Sequence, residues 1–105
     1  MTTSKAYRLT KAAARDLAAI RVESRPLFGL TQSNHYIDGL NWLFDILAEN
    51  PELGRLRTDI EPPVRVHPHK SHVVLYTLDE SRRPLIIRIR HAHGAWQDPI
   101  DISHA

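Results

Sequence analysis

The clearest β-strand signal in the chain is the run His72-Val73-Val74-Leu75-Tyr76-Thr77-Leu78, which is rich in β-branched and aromatic residues. Five residues, 79–83, follow it as a hairpin loop, and a second apolar run then covers residues 84–91. We expect the two runs to pair at the centre of an antiparallel sheet. One face of the second strand is expected to carry Leu85, Ile87 and Ile89.

A short strand and a helix open the chain. Residues 6–9 alternate between apolar and polar side chains, which predicts a strand. Thr10 can cap a helix over residues 11–24, because its hydroxyl can accept a free N–H group of the first turn. Pro26 and Gly29 are expected to end that helix.

A second helix is expected over residues 32–49, with Thr31 or Ser33 as its cap. Its apolar side chains extend well beyond one face, so it is either deeply buried or open to a partner. A further short strand is expected at residues 64–67, between the second helix and the strand that begins at His72. The element order is therefore β-α-α-β-β-β. This order predicts an α+β fold in which two helices pack on a mostly antiparallel sheet.

The length and composition limit the classes of protein to consider. With 105 residues, the chain is expected to form one domain over residues 1–105, with flexible ends at residues 1–5 and 99–105. The absence of cysteine excludes disulfide scaffolds and thiolate metal sites. The polar N-terminus and the lack of a long apolar run argue against a signal peptide and a membrane span, so we expect a cytoplasmic protein.

The second half of the chain is basic. Residues 53–91 carry eight Lys and Arg residues against four Asp and Glu residues, whereas residues 1–52 carry six of each. An excess of basic residues in one half of the chain indicates an acidic partner, either nucleic acid or an acidic protein segment. The alternative interpretation is a solvated face of the sheet.

Several sequence motifs, taken in their order along the chain, resemble those of the ParE branch of the ParE/RelE toxin superfamily. Residues 7–17 resemble the pattern Y-x-L-[ST]-x-x-A-x-x-D-L, and residues 44–57 resemble F-x-x-L-A-x-x-P-x-x-G-R-x-R. Arg65 with residues 70–76 resembles the family's paired strands, and residues 87–91 resemble its closing strand. The resemblance covers about residues 6–98 and implies the RelE/ParE-like fold. Residues 92–98 depart from it, since the family often has a shorter ending that contains an arginine.

The resemblance also implies a function. A ParE-like chain would be the toxin of a type II toxin–antitoxin system, neutralised by a ParD-like antitoxin in a hetero-oligomer. Its implied target is DNA gyrase, and it would be neither an enzyme nor a cofactor-binding protein. We expect no membrane contact and no direct DNA binding by the toxin alone.

An antitoxin segment that folds along the toxin needs an apolar groove with basic margins. We assign this binding surface to side chains of the two helices and of the basic half, namely Leu17, Ile20, Tyr36, Leu40, Trp42, Ile46, Arg55, Arg57 and Arg65. The alternative for the apolar members is simple core packing. Trp42 and Ile46 lie off the main apolar stripe, which favours contact with a partner for these two.

The alternative function is that of a RelE-like, ribosome-dependent mRNA endoribonuclease. That chemistry needs an acid, a base and cations around the phosphate. The catalytic candidates would be Arg65, Arg88, Arg90, His91 and His93. The C-terminal tyrosine of one nuclease subset has no counterpart here, since Trp96 is the aromatic residue in that region. The alternative is that these residues have only structural roles. Arg88 and His91 would then pair with neighbouring strands, and His72 would be a polar group whose hydrogen bonds are satisfied.

A metal site is the third class. The segment His67-Pro68-His69 places two imidazoles close together, and His72, His91 and His93 could lie nearby. Zinc sites need three or four convergent ligands with defined spacing, and the sequence contains no such signature. We therefore predict no metal site and no cofactor.

Overall fold

The computed structural model describes residues 6–97, apart from the side chains of residues 27 and 28. The ends expected to be flexible, residues 1–5 and 99–105, lie outside the described residues. The elements in chain order are β1 (Arg8–Leu9), a helical span (Lys11–Glu49), β2 (Arg55–Arg57), β3 (Val64–His69), β4 (His72–Leu78) and β5 (Pro84–His91). The strands form one sheet in the order β1-β5-β4-β3-β2, in which β1 and β5 are parallel and the other pairs are antiparallel.

The helical span consists of two helices. Gly29, with φ of 80° and ψ of 169°, is not helical, and it separates α1 (residues 11–28) from α2 (residues 30–49). A positive φ is available to glycine at little steric cost. The predicted α+β fold, with two helices packed on a mostly antiparallel sheet, is confirmed.

Two predicted helix boundaries are wrong. Helix α1 does not end before Pro26 but includes it, and the break comes at Gly29. Neither Thr31 nor Ser33 caps α2, because both lie inside that helix. Ser33 is buried and instead binds α1: its Oγ donates to the Arg21 carbonyl at 2.8 Å and lies 2.7 Å from the Ser24 Oγ. These hydroxyls bind the end of α1 to the beginning of α2.

The predicted start of α1 is confirmed, since the Thr10 Oγ1 accepts a hydrogen bond from the Ala13 N–H at 3.0 Å. Thr10 also ties the helix to β5. Its N–H donates to the Ile86 carbonyl at 3.0 Å, and its hydroxyl donates to the Ile87 carbonyl at 2.8 Å. Six residues further along α1, the Asp16 carboxylate accepts the Ile89 N–H at 2.9 Å. Helix α1 therefore satisfies backbone groups of β5 beyond the point where the two-residue β1 ends.

Strand β5 contains a β-bulge at Ile87. Leu75 pairs with Arg88 and the next residue, Tyr76, pairs with Ile86, so Ile87 is an extra residue in β5. The alternation of side chains changes at this point. Ile89 packs on the helix side of the sheet and Ile87 on the opposite side, so the prediction that they share one face is wrong.

The sheet is covered on both faces. The helix-side core contains apolar residues of both helices and of the central strands: Tyr7, Ala13, Ile20, Ile37, Leu40, Leu43, Phe44, Leu47, Val74, Tyr76, Ile86 and Ile89. A second core lies on the opposite face and contains Ile60, Val64, Val66, Val73, Leu75 and Ile87, with Ala92 and Trp96 packed against it. Complete burial of a large apolar side chain contributes about 1.5–3 kcal/mol. This second core was not predicted from the sequence.

Strand β2, which was not predicted from the sequence, begins directly after Gly54, whose backbone lies close to the ring of Tyr76. The Tyr76 hydroxyl donates to the Pro51 carbonyl and accepts the Gly54 N–H, each at 2.8 Å. Burial raises the pKa of Tyr76, so the phenol stays protonated. The ring of Tyr76 thereby holds the turn that leads from α2 to β2.

Among residues 6–97, no helix combines the length and the apolar character that crossing a membrane would require.

We expect Gly54→Ala to lower the free energy of unfolding by about 1–3 kcal/mol, the usual cost of overpacking. A Cβ atom at residue 54 would lie 2.6 Å from the Cε1 and Oη atoms of Tyr76, so the ring or the turn must move. Urea denaturation monitored by circular dichroism measures the change. The matched control is Gly94→Ala, because a Cβ atom there has its nearest neighbour at 3.5 Å. Equal stability of the two variants would contradict this account of the Tyr76 contact.

Candidate functional site

A cleft opens where β4 begins and β5 ends, between this end of the sheet and the helices. The strand register pairs His72 with His91 there. One cavity of about 360 Å³ is lined by Ile20, Glu23, Ser24, Tyr36, Ser71, His72 and His91. A second cavity of about 270 Å³ adjoins it, because Ile20, Glu23, His72 and His91 line both. We call these two cavities together the His72 cleft.

His72 has one nitrogen with a partner and one without. It is only 5% exposed, and its Nδ1 lies 2.6 Å from the Tyr36 Oη. Its Nε2 is buried and has no hydrogen-bond partner among the described residues. An unsatisfied buried polar group costs about 1–3 kcal/mol. The alternative interpretation of His72 as a satisfied polar group is therefore wrong for Nε2, and a partner group that bonds to this atom would recover the cost.

The surroundings of His72 favour the neutral imidazole. Burial lowers the pKa of His72, and the nearby His91 lowers it further, since the two rings lie 4.4 Å apart between centroids. The Tyr36 hydroxyl lies within reach of both His72 Nδ1 and the His69 carbonyl, the latter at 3.2 Å. A neutral imidazole can either accept from this hydroxyl or donate to it.

The rim of the cleft carries charges of both signs. Glu23 on α1 lies 3.9 Å from the Nε2 atom of His91. Asp16 binds the Arg88 guanidinium through two hydrogen bonds of 2.7 and 3.0 Å, which raise the pKa of Arg88. Arg90 donates to the Trp96 carbonyl at 3.0 Å, so the segment after β5 is fastened beside the cleft. Neither Glu23 nor Asp16 was predicted from the sequence to be a site residue.

The apolar residues predicted to bind an antitoxin do not form one groove. Ile20 and Tyr36 line the His72 cleft, whereas Leu17 lines a separate hollow of about 200 Å³. Leu40 has 0% exposure in the helix-side core. On α2, Ile46 is half-buried and Trp42 is 65% exposed.

The three arginines predicted at the margin lie on β2 and β3, and none of them lines the His72 cleft. Arg55 is exposed on β2. Arg57 forms an ion pair with Asp59 at 2.6 Å and lies 5.5 Å from the centre of the Trp96 ring. Arg65 donates to the Gly54 carbonyl at 2.8 Å.

The residues considered for nuclease chemistry come together only in part. Arg88, Arg90 and His91 line the second cavity of the cleft. Arg65 pairs with Tyr76, four residues along β4 from His72, and so lies in a different part of the sheet. His93 is exposed in the turn after β5 and does not line the cleft. The guanidinium of Arg88 is already bound to Asp16.

Within residues 6–97, no three His, Cys, Asp or Glu side chains converge closely enough to hold a metal ion. In the segment predicted to place two imidazoles together, the ring of His69 packs against Tyr36 at 5.4 Å. The Nδ1 atom of His67 lies 2.8 Å from the Pro68 carbonyl instead.

We expect the free energy of unfolding to decrease as the pH is lowered from about 7.5 to about 5. Because the pKa of His72 is lowered in the folded chain, the unfolded chain binds more protons once the pH falls below about 6.5. Burial lowers the pKa of His69 as well, with the same sign of effect. Urea denaturation across this pH range measures the slope.

The variant His72→Gln keeps a polar partner for Tyr36 and removes one titrating group, so its stability should depend less on pH. His93→Gln is the control, because His93 is exposed in a turn. An unchanged slope in His72→Gln would exclude His72 as a source of the pH dependence.

Comparison with known proteins places this structure in a family. Residues 7–96 match the family described as the ParE toxin of the type II toxin–antitoxin system parDE. The chain is also similar to Toxin ParE1 of Caulobacter vibrioides, with 32% identity over 87 residues, which cover 83% of this chain and 88% of that protein. The family match spans β1 to the Trp96 turn and therefore includes both helices, the whole sheet and the His72 cleft. The chain belongs to the ParE family of toxins of type II toxin–antitoxin systems.

Proposed function

We propose that this chain is a cytoplasmic toxin that a ParD-like antitoxin neutralises in a hetero-oligomer, and that it acts on DNA gyrase without being an enzyme. Membership of the ParE family supports the general role. The curated relative is itself named a ParE toxin. The antitoxin-binding surface is the part of this proposal that the geometry supports best.

The observation that carries the proposal is the buried Nε2 atom of His72, which has no partner among residues 6–97. It lies in a cleft with apolar side chains such as Ile20 on one wall and the Tyr36 ring on another. An antitoxin segment that folds on binding can place an apolar side chain against these walls and, with a small shift of the His72 ring toward the cleft, a hydrogen-bonding group at Nε2. Both contributions favour the complex over the free toxin.

The β5 side of the cleft is compatible with an acidic segment, whereas the α1 side carries Asp16 and Glu23. Arg90 and His91 line the cleft, in the basic half of the chain. Arg55, Arg57 and Arg65 lie further away on β2 and β3, where they stay proposed contacts for a segment that continues along the sheet. Leu17 would be reached only by a segment that passes the other side of α1.

The nuclease alternative receives less support from the geometry. Its cations would have to surround a phosphate, but Arg88 is held by Asp16 through two hydrogen bonds. Arg65 binds the Gly54 carbonyl in another part of the sheet. The same residues are therefore better explained as structural contacts.

We expect Ala19→Arg to weaken antitoxin binding by at least about tenfold, because the long side chain would enter the His72 cleft. Ala19 is exposed on α1 and lines the second cavity, so the substitution should not disturb the core. The measurement is the dissociation constant of the toxin with a ParD-like antitoxin, by isothermal titration calorimetry.

Ala18→Arg is the matched control, since Ala18 is the adjacent exposed alanine and lines the hollow beside Leu17 instead. We expect this variant to bind normally. If Ala18→Arg impairs binding and Ala19→Arg does not, the antitoxin passes the Leu17 side of α1 and the proposed use of the cleft is wrong.

The purified chain should inhibit supercoiling by DNA gyrase and leave translated messages intact. Its addition to a gyrase assay and to a cell-free translation system measures the two activities side by side. Added antitoxin should restore supercoiling. Cleaved messages together with unchanged supercoiling would favour the RelE-like nuclease instead.

A further inference from the structure

Helix α2 has a solvent-facing side that is unlike an ordinary solvated helix surface. Asp38, Trp42, Asp45 and Glu49 follow one another at spacings of four, three and four residues, so they lie on one side of the helix. All four are exposed, and the exposure of Trp42 reaches 65%. We call these four residues the Trp42 face.

The Trp42 face is separate from the His72 cleft. Tyr36 lines the cleft and Trp42 does not. The two residues are six positions apart, which places them about 120° apart around the helix axis. A segment bound in the cleft would therefore not cover the indole of Trp42 merely by following α2.

The charge of the Trp42 face is uncompensated. Residues 30–49 contain no lysine or arginine. In the described part of the chain, Asp38, Asp45 and Glu49 take part in no ion pair and no side-chain hydrogen bond. Asp16, Glu52 and Asp79, by contrast, each bind an arginine.

This arrangement weakens the helix that carries it. Asp45 and Glu49 are like charges at i and i+4, which repel one another. They lie near the C-terminal end of α2, where the helix dipole already presents partial negative charge. The last turn holds no basic residue to offset them. Local features that oppose folding are expected where a surface serves another purpose.

We propose that the Trp42 face is a docking surface for a basic protein segment, with an arginine or lysine over the indole and further cations beside the three carboxylates. Trp is the aromatic side chain that binds such cations best. The face extends over about 16 Å of helix, which matches about three turns of a partner helix. This inference is independent of the function proposed above.

The charge of the face selects this occupant over others. An acidic antitoxin segment and a nucleic acid would both meet three carboxylates of their own sign. A second copy of the chain would have to offer its basic sheet half. Because that half carries arginines, binding of a second copy to the Trp42 face is one outcome that the experiment must distinguish.

The probes are two synthetic peptides, one with arginine and leucine at helical spacing and one with glutamate in place of each arginine. We expect the arginine peptide, and not the glutamate peptide, to shift the indole N–H resonance of Trp42 in a two-dimensional NMR titration. Trp42→Ala should weaken binding by at least about tenfold. Asp45→Lys should weaken it by about two- to fivefold.

The control for charge is Glu80→Lys, which changes an exposed carboxylate in the β4–β5 loop and should leave binding unaltered. Asp45→Lys should also raise the melting temperature, because it replaces a repulsive charge near the helix end with a favourable one. Loss of binding together with a gain in stability would separate a docking role from a structural one.

Three results would overturn the proposal. The first is a Trp42 resonance that the arginine peptide does not move, or that both peptides move equally. The second is a melting temperature that falls in Asp45→Lys, since the carboxylate would then be structural. The third is a Trp42 resonance that shifts with protein concentration alone, because a second copy of the chain would then occupy the face.

Discussion

The fold depends on how helix α1 satisfies the outer edge of β5. Strand β1 covers that edge for only two residues, and the bulge at Ile87 then disturbs the ladder. Thr10 and Asp16 supply the missing partners, at the Ile86 and Ile87 carbonyls and at the Ile89 N–H. Because buried backbone groups must be paired, the first turns of α1 can occupy only one position against the sheet. That position sets the wall of the His72 cleft, since Ile20 and Glu23 lie one turn and two turns beyond Asp16.

Both helices and most of the strands could be predicted from local patterns. The cap at Thr10, the end of α2 before Asn50-Pro51 and the strands β3 to β5 all rest on signals within a few residues of each other. Strand β2 could not be predicted this way, because its formation depends on Tyr76, more than twenty residues away, which holds the preceding turn. Pro26 was misleading for a related reason: the Ser24–Ser33 contact between the helices keeps that end of α1 helical in spite of the proline.

The His72 cleft could be predicted only in part. Leu78 pairs with Pro84 next to the β4–β5 loop. In a regular antiparallel ladder without a bulge, His72 would then pair with Arg90. The bulge shifts this register by one residue, so that His72 meets His91 instead. Nothing in the alternation of residues 84–91 reveals the extra residue, since Ile86 and Ile87 are both isoleucine and both buried. Tyr36 could be identified as a surface-forming side chain of α2, but its contact with His72 required the tertiary structure.

The second core has a consequence for any chain that binds this toxin. The helices cover one broad side of the sheet, while Ile60 and Trp96, from the segments before β3 and after β5, close the other. Over residues 6–97, the central strands are thus shielded from above and below. A visiting polypeptide therefore meets the helices on one side and these two segments on the other before it can reach the side chains of the central strands.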